Sequence, residues 1–241
     1  MRGREELRPF HQYGMTQARA HWLLWGAFTL NAVSAPAASL TETLARMDKA
    51  AQKFTSLSAD MRKVSHTGVI DEDTVDVGTV LMKRPKPHDI RMLFEIKPPD
   101  PKKLFIDGKK VQIFFPNSLT EQEYDMSKYK SLLDQFLLLG FGSNSKELEN
   151  DYTISLGGSE VIAGEKTTRL ELIPKSQEML VHLKRVELWL SDETGMPLQQ
   201  KFYQPGNDYQ VATYTNIKIN PSLPELKLDV PKGTKKEYPL K

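Results

Sequence analysis

The chain has 241 residues, 33 Lys and Arg against 31 Asp and Glu, a formal net charge of +2 and no cysteine. Without cysteine there are no disulfides, no thiol catalysis, no cysteine-ligated metal and no lipid-modified cysteine. The whole excess charge resides in residues 1–37, where Arg2, Arg4, Arg8 and Arg19 stand against Glu5 and Glu6; residues 38–241 are neutral and carry no electrostatic footprint for nucleic acid.

Met15 to Ala38 reads as a secretory signal peptide, with Arg19 first, then the apolar stretch WLLWGAFTLNAV, then SAPAAS. Ala35 and Ala37 are the small residues a signal peptidase requires, which places cleavage after Ala37 and the remaining protein in the periplasm. The apolar run is shorter than the roughly 20 residues that span a bilayer. Residues 1–14 read as an over-long start, with Met15 as initiator. Residues 38–241 suffice for one buried core and are expected to form a single domain.

The first element after the leader is an amphipathic helix over 39–54. Ser39 and Glu42 form a capping-box pattern, and Leu40, Leu44, Met47, Ala51 and Phe54 recur at steps of three and four. A short strand, SLSADMRKV, follows with Leu57, Ala59 and Met61 alternating. Asp71, Glu72 and Asp73 lack calcium-loop spacing and read as a solvated turn, after which a strand runs through Leu81. The segment VLMKRPKPHDIRMLF then interrupts strand-forming residues with Lys83, Arg84, Pro85 and Pro87. Val80, Met82 and Arg84 share one face of that strand, so Arg84 either looks inward or stops edge pairing.

Further along, KKLFIDGKKVQIFFP predicts a hairpin turning at Asp107-Gly108, and LTEQEYDMS a polar edge strand. The stretches YTISL, TTRLELIP, VHLKRVELWLS, MPLQQKFYQ and DYQVATYTNIKIN predict further strands, separated by Gly157-Gly158, Asp192 to Gly195, and Pro205-Gly206-Asn207. The sum is one antiparallel sheet of about ten strands. YKSLLDQFLLLGFG (129–142) is of helical length, and six of the eight residues from 132 to 139 are apolar. One stripe cannot hold them, so this helix is either a core helix on the sheet or a lid over an apolar cavity.

Catalytic chemistry has no visible seat. Beyond the leader the histidines are His66, His88 and His182, none at a metal-ligand spacing from another, and there is no Gly-x-Ser-x-Gly elbow or phosphate loop. A non-enzymatic protein without metal or cofactor is expected. Met61, Met82 and Met92 lie in three predicted strands beside Val80, Ile90 and Phe94. Methionine suits either ordinary core filling or a surface that accommodates chains of variable shape.

The motifs FTSLSADM, GTVLMKRP, LFIDGKKVQIFFP, TRLELIPKS, VELWLSDETGMPLQ, YTNIKINPSLP and LDVPKG, in this order and spacing, resemble the LolA-like family of periplasmic outer-membrane lipoprotein carriers over nearly all of residues 38–241. The resemblance implies a curved antiparallel half-barrel with its apolar concave face covered by a helical lid. It also implies a monomeric carrier that takes lipoprotein acyl chains from an inner-membrane lipoprotein-releasing transporter and passes them to an outer-membrane acceptor. It carries the family's strand-end arginine, which bonds to the lid, onto Arg84. The expected cavity residues are Met61, Val80, Met82, Ile90, Met92, Phe94, Phe114, Leu133, Phe136, Leu137 and Trp189. Ile90, Arg91 and Met92 stand where the family shows an aromatic, an arginine and a tryptophan, and Pro87-His88 resembles an insertion. A carrier or sensor for another lipid, such as a glycolipid or fatty acid, therefore stays open as the alternative.

Overall fold

The computed structural model describes residues 39–86, 89–129 and 139–239. The leader with its cleavage position, Pro87-His88, and Leu133, Phe136 and Leu137 of the expected lid helix lie outside the described residues.

Helix α1 (Leu40–Lys53) begins where its sequence requires: the Ser39 hydroxyl accepts from the Glu42 amide, and the Glu42 carboxylate accepts from the Ser39 amide. The apolar stripe buries Leu44, Met47, Ala51 and the cap residue Phe54. The sheet follows as β1 (Ser56–Thr67), β2 (Glu72–Lys86), β3 (Asp89–Ile96), β4 (Lys102–Asp107), β5 (Lys110–Phe115), β6 (Thr120–Asp125), β7 (Tyr152–Ile162), β8 (Glu165–Pro174), β9 (Arg185–Ser191), β10 (Pro197–Tyr203), β11 (Tyr209–Ile219) and β12 (Lys235–Glu237). Two short α-helices, α2 (Ser145–Asp151) and α3 (Gln177–Leu180), and three single-turn 3-10 helices accompany the sheet among the described residues.

The spatial order is β12-β6-β5-β4-β3-β2-β1-β11-β10-β9-β8-β7. Every pairing is antiparallel except β12 with β6. The sheet is an open, curved half-barrel; its ends, β12 and β7, do not pair. β2 and β3 approach each other closely at Gly78. A Cβ on Gly78 would sit 2.0 Å from the Glu95 carbonyl oxygen, so only glycine lets β3 approach this closely.

Twelve strands stand where about ten were expected. The last lies in the basic tail, where three residues pair in parallel with β6 and show no apolar alternation to announce it. The tail reaches β6 across the outer side of the sheet. Lys83 donates to the Leu223 and Pro224 carbonyls, Arg91 pairs with Glu225, and Leu226 is buried. It thereby covers the polar edge strand the sequence announces.

Two turns differ from expectation. Asp107 pairs with Lys110, so the hairpin loop is Gly108-Lys109, with glycine at the position whose φ of 57° it suits. Gly157-Gly158 is not a turn. β7 continues through it to Ile162, with an irregularity between Leu156 and Gly158 where the Arg169 guanidinium donates to the Gly157 carbonyl. Glycine inside a strand here marks a bulge and a close approach.

The concave face carries two apolar clusters. The Leu44 and Met47 side chains of α1, Leu148 of α2, and Leu139 pack with Tyr152, Leu170, Leu172, Val186, Leu188 and Leu190, filling the side formed by β7 to β9. Phe54, Leu57, Ala59, Met61, Val80, Met82, Ile90, Met92 and Phe141 form the second, over β1 to β3. Each such large side chain contributes about 1.5–3 kcal/mol by leaving water. The first half of the face is solid, and the second is not.

Candidate functional site: a helix-capped apolar cavity

A cavity of about 550 Å³, partly open to solvent, lies against the concave face of β1 to β5, β10 and β11. Its walls are chiefly apolar, with Met61, Met92, Phe94, Ile106, Phe115 and Phe141 among them. Strand phase produces this lining. Leu104 and Ile106 of β4 and Ile113 and Phe115 of β5 point inward at every second position.

Three of the expected cavity residues, Met61, Met92 and Phe94, line this space. Val80, Met82 and Ile90 belong to the adjoining cluster, packed with Phe54 and Phe141 under the closed end. Phe114 and Trp189 are corrections, because both turn to the outer face. Phe114 alternates with Ile113 and Phe115, which face the cavity. Trp189 alternates with Leu188 and Leu190 of the filled cluster, and its ring lies 5.9 Å from the Arg169 guanidinium. Being apolar within an inward-looking run did not separate the two faces, because strand register decides which residues look inward.

The end of the cavity under Phe141 is closed by chain segments that converge on Arg84. β2 is a central strand, so Arg84 has no sheet edge to guard; it takes the inward phase, while Lys83 takes the outward one. The Arg84 guanidinium donates from Nη1 to the Gly142 carbonyl at 2.8 Å, and from Nη2 to the carbonyls of Ala51 at 2.6 Å and Phe54 at 2.7 Å. Ala51 belongs to the last turn of α1, whose carbonyls have no partner within the helix, and a cation at that end is favoured by the helix dipole. The same cation lies 5.4 Å from the Phe54 ring centre. Asn220 completes the cap by donating to the Lys53 carbonyl.

Gly142 makes this convergence possible. Its φ is 80°, and a Cβ there would lie 2.6 Å from Arg84 Nη1. Its neighbour Phe141 projects into the cavity wall and meets the Tyr214 ring edge-on at 5.2 Å. A buried polar chain holds the same segment from below: the Tyr214 hydroxyl donates to Gln200 Oε1 at 2.8 Å, and Gln200 Nε2 donates to the Leu139 carbonyl at 2.5 Å. Burial pushes the Tyr214 phenol well above its ordinary pKa, so it stays a neutral donor. On the other side Asp48 of α1 accepts from the Ser145 amide and hydroxyl at 2.6 and 2.7 Å, joining α1 to the start of α2. Helix α1 and the segment 139–145 thus form one cover. Sequence reasoning missed Phe141, Gly142, Gln200 and Tyr214. The available signal was a glutamine at an inward phase between Leu198 and Phe202.

The far end of the cavity is charged. Lys63, Asp76 and Lys102 line it, with Asp76 3.1 Å from each ammonium. Burial raises the Asp76 carboxyl, yet hydrogen bonds from Lys63 and Lys102 outweigh that and hold it below the ordinary carboxylate value. Gln204 and Gln210 extend the polar lining. Among the described residues no three His, Cys, Asp or Glu side chains gather in a way that would hold a metal ion.

An open β half-barrel with an apolar hollow, shut at one end by α1 and the segment 139–145 anchored on an arginine, defines a class of ligand-enclosing fold. The sequence belongs to the outer membrane lipoprotein carrier protein LolA family, which it matches over residues 52–225; that family consists of extracytoplasmic carriers. Among curated proteins no relative matches. Of the solved structures, an uncharacterized conserved protein from Thermus thermophilus is similar at 16% identity and TM-score 0.50, covering 82% of this chain and 98% of that one. The Mycobacterium tuberculosis lipoprotein LppX is similar at 13% identity and TM-score 0.48, covering 77% and 99%. MucB matches at 16% identity and TM-score 0.48 over 77% of this chain. The chain spans 60% of the length of MucB.

Proposed function

We propose that this protein is a periplasmic carrier that receives lipoprotein acyl chains from an inner-membrane lipoprotein-releasing transporter, encloses them in the cavity, and yields them to an outer-membrane acceptor. The observation that carries the reading is the coupling of the apolar cavity to the Arg84 cover. Phe141 lines the hollow, and the residue after it supplies one of the three carbonyls that hold the guanidinium.

The energetics favour such a device. Each buried methylene contributes roughly 0.8 kcal/mol. Three acyl chains with on the order of 40 methylenes would yield about 30 kcal/mol, beyond the roughly 20 at which non-covalent binding saturates. A carrier that must release needs a competing state. The cavity has the size that encloses a drug-like molecule, so full loading requires the cover to move. Movement of Phe141 pulls on Gly142 and breaks charge-assisted hydrogen bonds, each worth about 1.5–3 kcal/mol. Those bonds re-form on emptying and drive release.

Replacement Arg84→Leu tests this. The variant accepts acyl ligand at least as readily as the wild type, and transfers it to acceptor membranes at least tenfold more slowly. Wild-type transfer rates in a correctly folded variant would remove the arginine from the mechanism. A carrier for a different lipid on the same fold is the second reading, favoured by the charged end of the cavity.

A further inference from the structure

The cavity is not uniformly greasy, and its charge is arranged along one axis. Asp76 and Arg84 both lie on the inward phase of β2, eight residues apart, or about 26 Å at a rise of roughly 3.3 Å per residue. At the Arg84 end the hollow is covered by Phe141 and α1. At the Asp76 end stand two ammonium groups and one carboxylate, a local excess of one positive charge.

Each member of this group sits where strand alternation would place an apolar side chain. Lys63 is two residues beyond Met61 on β1 and pairs across with Asp76. Lys102 opens β4 opposite Ile96 of β3, itself a cavity residue. The Asp76 side chain is 15% exposed, and the two lysines are 31% and 33% exposed. Each ammonium carries three donors, and one carboxylate cannot use six. The arrangement is therefore unsaturated: a second anion can be accepted between the lysines while Asp76 stays in place.

We infer that Lys63 and Lys102, held by Asp76, form a headgroup site, and that the lipid this cavity prefers carries an anionic group, carboxylate or phosphate, next to its acyl chain. The inference rests on the acyl-binding reading above and deepens it. The headgroup lies at the open, charged end with Gln204 and Gln210 beside it, and the hydrocarbon runs toward Phe141. The methyl end of the chain is then the part that reaches the Arg84 cover, so the charged end selects and the apolar end opens. An exposed lysine–aspartate group that merely decorates the sheet rim would contribute little to anything, and would not distinguish ligands by charge.

Calorimetric titration of the purified protein with palmitate, 1-palmitoyl lysophosphatidate and uncharged 1-monopalmitoylglycerol, each below its micelle concentration, separates these cases. Both anions, or one of them, are expected to bind about tenfold or more tighter than the neutral lipid; which anion leads identifies the group as carboxylate or phosphate. The Lys63→Gln/Lys102→Gln double substitution brings the ratio of anionic to neutral affinity close to one, and Asp76→Asn raises it. Equal binding of all three lipids by the wild type, or a ratio that survives the double substitution, overturns the headgroup site and leaves the acyl-binding reading standing. Binding of none overturns both. If the double variant does not fold, the wild-type ratio and Asp76→Asn decide the matter alone.

Discussion

At the scale of single residues, Gly142 is as informative as Arg84. The guanidinium needs three carbonyls within hydrogen-bond reach, and the third is available only because position 142 has no side chain and adopts a left-handed conformation. Gly142→Ala is expected to cost about 1–3 kcal/mol of stability, from backbone strain and from displacement of Arg84. Thermal denaturation of the single variant, of Arg84→Leu and of the double variant checks this. The two effects should be clearly less than additive because they break the same contact; simple additivity would mean that Gly142 matters for its turn alone. The shared phase of Val80, Met82 and Arg84 was legible in the sequence, but which side looks inward was not, because Val75, Val77 and Leu81 make the opposite face apolar too. The partners of Arg84 were not legible either, because a backbone carbonyl carries no sequence signal.

Among the elements, β2 does the most to position the site. It runs from the charged end of the cavity to the closed end, and at Gly78 it lies tight against β3. Gly78→Ala would drive a Cβ into the Glu95 backbone, which is not a flexible side chain that can step aside. A loss of more than 2 kcal/mol is expected, read from chemical denaturation, with amide exchange rising first in β2 and β3. Neutral stability would show that β2 and β3 can part at Gly78 without cost. Helix α1 was readable in full from its capping box and stripe. The strands were readable from alternation, except β12, whose pairing is supplied entirely by its neighbour. Gly157-Gly158 was misread for a related reason: the same dipeptide serves a turn or a bulge, and the Arg169 side chain that settles it is twelve residues away.

For the whole molecule, the central point is the asymmetry of the concave face. One half is packed with leucines brought by α1, α2 and their strands, and the other half retains a hollow. That division was not legible in the sequence, since apolar residues alternate equally well in both halves; what differs is that Leu139, Leu148 and the leucines of β8 and β9 fill one of them. For the same reason Phe114 and Trp189 carried the right chemistry on the wrong face. Lys63, Asp76 and Lys102 break the apolar phase at the end opposite Arg84, a signal that becomes meaningful once register is known. Fold class and family could be read from the order of motifs, whereas the shape of the empty space could not.

The most direct test asks whether the hollow is where lipid sits. Ala212 is a small residue on its wall, and Ala212→Trp would fill it with the protein's own side chain. Wild-type and variant protein purified from the same cells, extracted with organic solvent and compared by mass spectrometry, should differ: acyl-bearing lipid with the wild type, and at least a tenfold loss with a variant that remains folded. Equal lipid on both proteins, or none on the wild type, would contradict the account.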